Sequence, residues 1–186
     1  MKEIIEKTIK VLSDGGILLY PTDTIWGLGC DATNPEAVSK VYNLKRRNES
    51  KTMLVLVSDQ NMLKEYVGFI PGIALELIET ATKPLTIVYP SGRNLASNLY
   101  ADDGSIGIRI PNDEFCSALI KAYNKPVVST SANYAGERSP LGFFDINENL
   151  KKSVDYIVPF NQEVLSASRS SDIVKVFKNG EIQNIR

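Results

Sequence analysis

The chain has 186 residues, 43% of them hydrophobic and 23% charged, with a formal net charge of -1. That length and balance suit one globular domain with a real core, and they exclude a disordered chain or a basic coat for nucleic acid. Histidine is absent, which removes Ser-His-Asp and Cys-His nucleophiles, a His general base and the usual His-containing zinc sites. Residues 2–13 carry Ile4, Ile5, Ile9 and Leu12 close to helical spacing, and Gly15-Gly16 stops that helix. Residues 17–20 read as a buried strand ending at Pro21. Asn34, with Pro35 at the first helical position, opens a helix through Leu44. Met53–Val57 is the next strand, followed by helical patterns near 60–67 and from Pro71 to about Thr80. Residues 85–89 and 106–110 read as strands separated by a polar loop at 91–104. A helix near 112–123 leads to a strand at 127–130. Short apolar runs follow at 155–158 and 172–177. Asn179-Gly180 between Val176-Phe177 and Glu181-Ile182 predicts a type I′ hairpin. Alternating helices and strands without a repeat or linker predict a single α/β domain with a mixed sheet.

No apolar run approaches the length of a membrane helix. The first residues, Met1–Lys7, are amphipathic and carry acids, unlike a secretory signal. Cys30 and Cys116 form neither CxxC nor a metal spacing, and they fit a reducing cytoplasm as small core residues.

Three segments carry candidate chemistry. Lys45-Arg46-Arg47-Asn48-Glu49-Ser50-Lys51 places four cations in seven residues. So dense a turn on a balanced protein points to a local anion such as a phosphate chain; the alternative is a solvated helix C-terminus, where cations favour the dipole. Residues 21–30, Pro21-Thr22-Asp23-Thr24-Ile25-Trp26-Gly27-Leu28-Gly29-Cys30, form a turn at a strand end. Its glycines allow a ligand close to the backbone and its hydroxyls bind polar groups, or Asp and Thr merely stabilise a tight turn. Ser129-Thr130-Ser131-Ala132-Asn133 also follows a buried strand, where α/β sheets open binding crevices; simple capping is the alternative. Neither segment is a Walker loop or a GxGxxG fingerprint. An enzyme built from Lys, Arg and hydroxyls works by positioning and electrostatics, as phosphoryl and nucleotidyl transfer allow.

Taken together, "YPTDTIWGLGCDA", "KRRNESK", "KPLTIVYP", "IGIRIP" and "PVVSTSANYAGE" resemble the YrdC/Sua5 family, the threonylcarbamoyl-AMP synthases. The resemblance runs from about residue 10 to about residue 177, as in the short YrdC-type members without an added Sua5 domain. It implies one YrdC-like domain over 1–186, a twisted mixed sheet flanked by helices around a positively charged cavity. The implied reaction joins L-threonine, bicarbonate and ATP into threonylcarbamoyl-AMP and pyrophosphate. Partner proteins then use that product to modify adenosine 37 of tRNAs reading ANN codons. Mg²⁺ is implied as an ion bound with ATP, and weak RNA binding as a further property. The family's KxR…SxN signature maps to Lys45, Arg47, Ser131 and Asn133. Lys51 matches a further lysine. Thr24, Arg109 and Ser129 fall where threonine or its carbamate is held, and Ser105, Ser139 and Arg169 near the nucleotide.

The sequence departs from the family pattern at four places. Lys51-Thr52-Met53 replaces KPL, and Ala81-Thr82-Lys83-Pro84-Leu85-Thr86 replaces WPGPLT. Leu56 stands where some members carry histidine, and Ser168–Ile173 matches the PST-type motif loosely. Two other classes fit the same fold. One is a non-catalytic RNA-binding module, against which the pI of about 5.6 argues. The other is a carbamoyl-transfer domain, which in hydrogenase-maturation proteins lies within a much longer chain.

Overall fold

The computed structural model describes residues 1–48, 52–164 and 170–186. Among the described residues six α-helices and nine strands are interleaved. The helices are α1 (Lys2–Ser13), α2 (Pro35–Lys45), α3 (Gln60–Tyr66), α4 (Gly72–Thr80), α5 (Glu114–Tyr123) and α6 (Glu148–Lys152). The strands are β1 (Leu18–Tyr20), β2 (Gly27–Gly29), β3 (Leu54–Leu56), β4 (Leu85–Tyr89), β5 (Ile106–Arg109), β6 (Val127–Ser131), β7 (Tyr156–Ile157), β8 (Asp172–Val176) and β9 (Ile182–Asn184). They form one mixed sheet in the order β7-β1-β2-β6-β3-β5-β4-β8-β9. The pairs β1/β7, β3/β5 and β4/β8 are parallel, and the remaining neighbours antiparallel.

Local chemistry explains where the helices begin. Asn34 accepts from the N–H groups of Glu36 and Ala37, and Pro35 follows it, so α2 starts where the sequence predicts. Asp59 and Asp113 cap α3 and α5 in the same way. No helix among the described residues is long and apolar enough to cross a membrane. Both cysteines are free and buried.

Register sorts the side chains. Val55 pairs with Ile108 and Val128, and Ile87 with Ile108, so these apolar residues share one face. Leu54 pairs with Ser129, Gly27 with Ser131 and Val88 with Gly107, which puts the polar residues of β6 on the other face. One face is therefore core, and the other supports a polar cavity.

Two expectations are corrected. Residues 27–29, read as part of a turn, form β2, inserted between β1 and β6. Its two glycines hide the alternation that marks a strand. A Cβ at Gly29 would lie 2.4 Å from the Val128 carbonyl and 2.6 Å from the Tyr20 ring, so this glycine serves strand packing rather than ligand approach. The C-terminal hairpin forms, but its turn is not type I′. Gly180 takes a positive φ of 88°, while Asn179 does not. Instead the Gly180 N–H donates to Phe177 O, and Asn179 Oδ1 accepts from the Glu181 N–H.

Candidate active site

The front cavity, of about 230 Å³, opens on the polar face. Strand β6 contributes Ser129, Thr130 and Ser131; β5 contributes Gly107 and Arg109, with Ser105 just before it. Thr24 and Gly27 close one side, Thr86 and Ser171 the other. Arg47 enters from beyond α2, and Arg186 from beyond β9. Among the described residues the lining holds three arginines, many hydroxyls and no Asp or Glu side chain.

The end of α2 distributes the cationic motif. Arg46 takes the left-handed conformation with φ 53°, its N–H donating to Asn43 O, while the Arg47 N–H donates to Tyr42 O. This is the Schellman arrangement with arginine where glycine is usual. It ends the helix on Lys45 and sends the three residues apart. Lys45 is buried, with Nζ donating to the carbonyls of Ser131 and Asn133. Arg46 is exposed and lies over the Tyr134 ring, 4.7 Å from its centroid. Arg47 lines the cavity, with Nη2 donating to Thr52 O at 2.8 Å.

Lys45 is thus a tie rather than a cavity wall. The Ala135 N–H also donates to Lys45 O, so α2 and the segment after β6 are bound in both directions. Burial, and secondarily the nearby Arg47 charge, lower the Lys45 pKa from 10.5 to about 7.

Arg109 is buried and bonded to Asp23, Nη1 to Oδ1 at 2.5 Å. Asp23 Oδ2 accepts from the Asn112 N–H. Arg109 Nε is buried and has no hydrogen-bond partner among the described residues. Such an unsatisfied donor in a cavity wall suits an incoming acceptor. Thr24 bonds to the Thr22 hydroxyl at 2.9 Å, and Thr22 in turn donates to Ile25 O. On the opposite wall Thr86 and Ser171 share a 2.8 Å hydrogen bond. Arg186 donates to the Ser171 carbonyl through Nε and Nη2.

Of the residues singled out from sequence, the cavity gathers Thr24, Arg47, Ser105, Arg109, Ser129 and Ser131. Lys45, Asn133 and Ser139 are not among its described lining residues. Asn133 Nδ2 instead donates to the carbonyls of Tyr134 and Glu137, holding the turn that follows β6. Its Oδ1 is buried without a hydrogen-bond partner among the described residues. Lys51 and Arg169 lie outside the described residues. The sequence reading missed Thr86, Ser171 and Arg186. Thr86 carried a signal, a hydroxyl alternating with Leu85 and Ile87. Arg186 carried none, because only the β8–β9 return brings it to the cavity.

The Sua5/YciO/YrdC family model, described as "Telomere recombination", matches residues 10–186. The chain belongs to this family. A threonylcarbamoyl-AMP synthase of Hahella chejuensis is 33% identical over 156 residues, covering 83% of this chain and 85% of that protein. The E. coli YciO crystal structure matches with a TM-score of 0.86 at 21% identity, covering all of this chain and 89% of YciO. P. abyssi Sua5, solved in complex with L-threonine, matches with a TM-score of 0.82 at 22% identity over 92% of this chain. This chain spans about half of the Sua5 chain (50%). These family structures share the mixed α/β sheet described above.

Proposed function

We propose that this protein is an L-threonylcarbamoyladenylate synthase, a nucleotidyltransferase that supplies tRNA modification. The observation that carries the reading is the joining, in one cavity with no Asp or Glu side chain among its described lining residues, of Arg47, Ser131, Arg109 and Thr24 in a member of this family. Threonine adds through its amine to CO₂ from bicarbonate, giving N-carboxythreonine. A carbamate oxygen then attacks the α-phosphorus of ATP, the bond to the β-phosphate breaks, and pyrophosphate leaves.

The residues suit each part. Arg109, held by Asp23 with Nε unengaged, binds the threonine carboxylate, and Thr24 and Ser129 border the amino-acid end. Arg47 neutralises phosphate charge as pyrophosphate departs, and Ser131 hydrogen-bonds a phosphate oxygen without adding charge. Lys51 joins Arg47 on the phosphates. Ser105 and Arg186 line the remainder of the cavity and face the nucleotide, with Arg169 and Ser139 as further contacts. Lys45 and Asn133 act from behind by fixing the backbone after β6. No group of three or more His, Cys, Asp or Glu capable of holding a metal occurs among the described residues. That lining suits ATP arriving with its own Mg²⁺ as part of the substrate.

The adenylate is a reactive mixed anhydride, so partner proteins that modify adenosine 37 of ANN-decoding tRNAs must take it promptly. We place this chemistry in the cytoplasm. Direct RNA contact is not needed for the synthase step.

The experiment is mass-spectrometric detection of the AMP adduct with ATP, Mg²⁺, bicarbonate and L-threonine, omitting each in turn. The adduct should require all of them, and valine should replace threonine poorly, because a hydroxyl-reading site leaves polar groups unpaired with valine. ATP turnover indifferent to every amino acid would overturn the reading. Adduct formation with carbamoyl phosphate instead would favour the carbamoyl-transfer alternative.

A further inference from the structure

The core face of the sheet holds a second cavity, directly behind the first, and among its described lining residues the proposed reaction uses Asp23 alone, as the partner of Arg109. Its volume is about 440 Å³, within the range of about 300–1,000 Å³ common for small-molecule sites. Strand alternation separates the two. Thr86, Val88, Gly107 and Arg109 face the front cavity, whereas Leu85, Ile87, Tyr89, Ile108 and Ile110 face the rear one. Helix α4 borders it through Ile78 and packs shallowly. Ala74 is its one buried residue, and Ile73, Leu77 and Ile78 are half-buried against the core.

The polar groups of this cavity are not equivalent. Its carboxylate, Asp23, is engaged: Oδ1 accepts from Arg109 and Oδ2 from the Asn112 N–H. Among its described lining residues the other polar side chains are the hydroxyls of Thr82 and Tyr89, the Asn112 amide and, as the one cation, the Lys83 ammonium. Among the described residues the Lys83 ammonium has no ion pair or hydrogen-bond partner, and neither has the Asn112 side-chain amide, although both line the cavity. A chamber with an apolar floor of Leu85, Ile87 and Ile108, a neutralised acid and a mouth carrying the Lys83 ammonium beside hydroxyls and an amide is complementary to an anion with an apolar tail.

We propose that the rear cavity is a binding site for a small apolar monocarboxylate, its tail against Leu85, Ile87 and Ile108 and its carboxylate on Lys83 and Asn112. The site lies outside the synthase cavity and does not depend on that activity. Asp23 lines the rear cavity and Arg109 the front one, so their ion pair connects the two.

The test is direct titration of the full chain with octanoate, octanol and octylamine, followed by calorimetry and by ligand-observed NMR. These probes share a tail and differ in head charge. Octanoate should bind saturably and about tenfold tighter than octanol, the effect of one charge-assisted contact, with octylamine weakest. Lys83→Gln should bring octanoate down to the affinity of octanol and leave octanol unchanged. Because Lys83 is exposed, the melting temperature should not move. Ile78→Phe, which fills the chamber, should weaken octanoate and octanol alike. Absence of saturable octanoate binding, octylamine binding as tightly as octanoate, or unchanged octanoate affinity in K83Q would each overturn the proposal. All three readouts are independent of ATP turnover, so failure of the synthase reading would leave them intact.

Discussion

Arg109 Nη1 lies 2.5 Å from Asp23 Oδ1, and both side chains are almost wholly buried, 2% and 8% exposed. The pair joins the strand-end turn after β1 to the end of β5. Removing one member of a buried ion pair strands the other, at about 3–5 kcal/mol. Asp23→Ala should therefore destabilise the protein by that order and raise the KM for threonine, because Arg109 loses the partner that orients it. Arg109→Lys should keep the fold better but not the substrate affinity, since an ammonium cannot form the planar fork. Thermal melts paired with kcat/KM for threonine check both. An Asp23→Ala protein with unchanged KM would show that Arg109 does not hold the amino acid.

Neighbouring arginines should behave differently. Arg47→Ala removes a cation from the cavity wall and should raise the activation free energy by about 2–4 kcal/mol. Arg46→Ala removes only an exposed cation resting on Tyr134, worth about 0.5–1 kcal/mol of stability. Pyrophosphate-release rates for the two variants should differ by at least about tenfold. Equal mild effects would mean that the αL turn at Arg46 does not direct the phosphate contact.

Lys45 predicts a pH signature. Its pKa falls from 10.5 to about 7 on folding, so above pH 7 the unfolded chain holds more protons at this site than the native protein. Stability then rises with pH. The penalty of burying the ammonium is full below about pH 7 and is relieved as pH climbs toward 10.5. The melting temperature of the native sequence, measured relative to Lys45→Met, should increase between pH 7 and pH 10. A flat difference would show that Lys45 stays charged in place. Lys45→Met should also lower activity through the loosened Ser131 and Asn133 carbonyls, with a larger effect on kcat than on the KM for ATP.

Gly29→Ala tests the packing of β2. The new methyl would meet the Val128 carbonyl at 2.4 Å and the Tyr20 ring at 2.6 Å, and neither can withdraw without moving a strand. Overpacking of this kind costs about 1–3 kcal/mol. At Gly27 the nearest atom is Ser129 Oγ at 3.3 Å, so Gly27→Ala should be milder in stability but felt at the cavity, which Gly27 lines. Chemical denaturation of the two variants orders the costs, and reversal of that order would refute the assignment.

The sequence by itself determined the alternation of helices and strands, because apolar periodicity and capping chemistry are local. Asn34-Pro35 starts α2, the 85–89 and 106–110 runs form β4 and β5, and the fold class follows from their order. It also singled out the polar segments that reach the cavity, since hydroxyls and arginines beside buried strands need a partner. Only the tertiary structure decided which of those side chains look inward. One left-handed residue, Arg46, sends Lys45 into the core and Arg47 into the cavity, a division that no composition of the KRR motif encodes. Strand β2 was hidden because Gly27 and Gly29 owe their identity to contacts with β6, a hundred residues downstream. Arg186 reaches the site only because β9 folds back along β8. Local sequence sets each element's conformation, but a binding site is made of non-local neighbours, and those are fixed by strand order and by the packing of one face of the sheet.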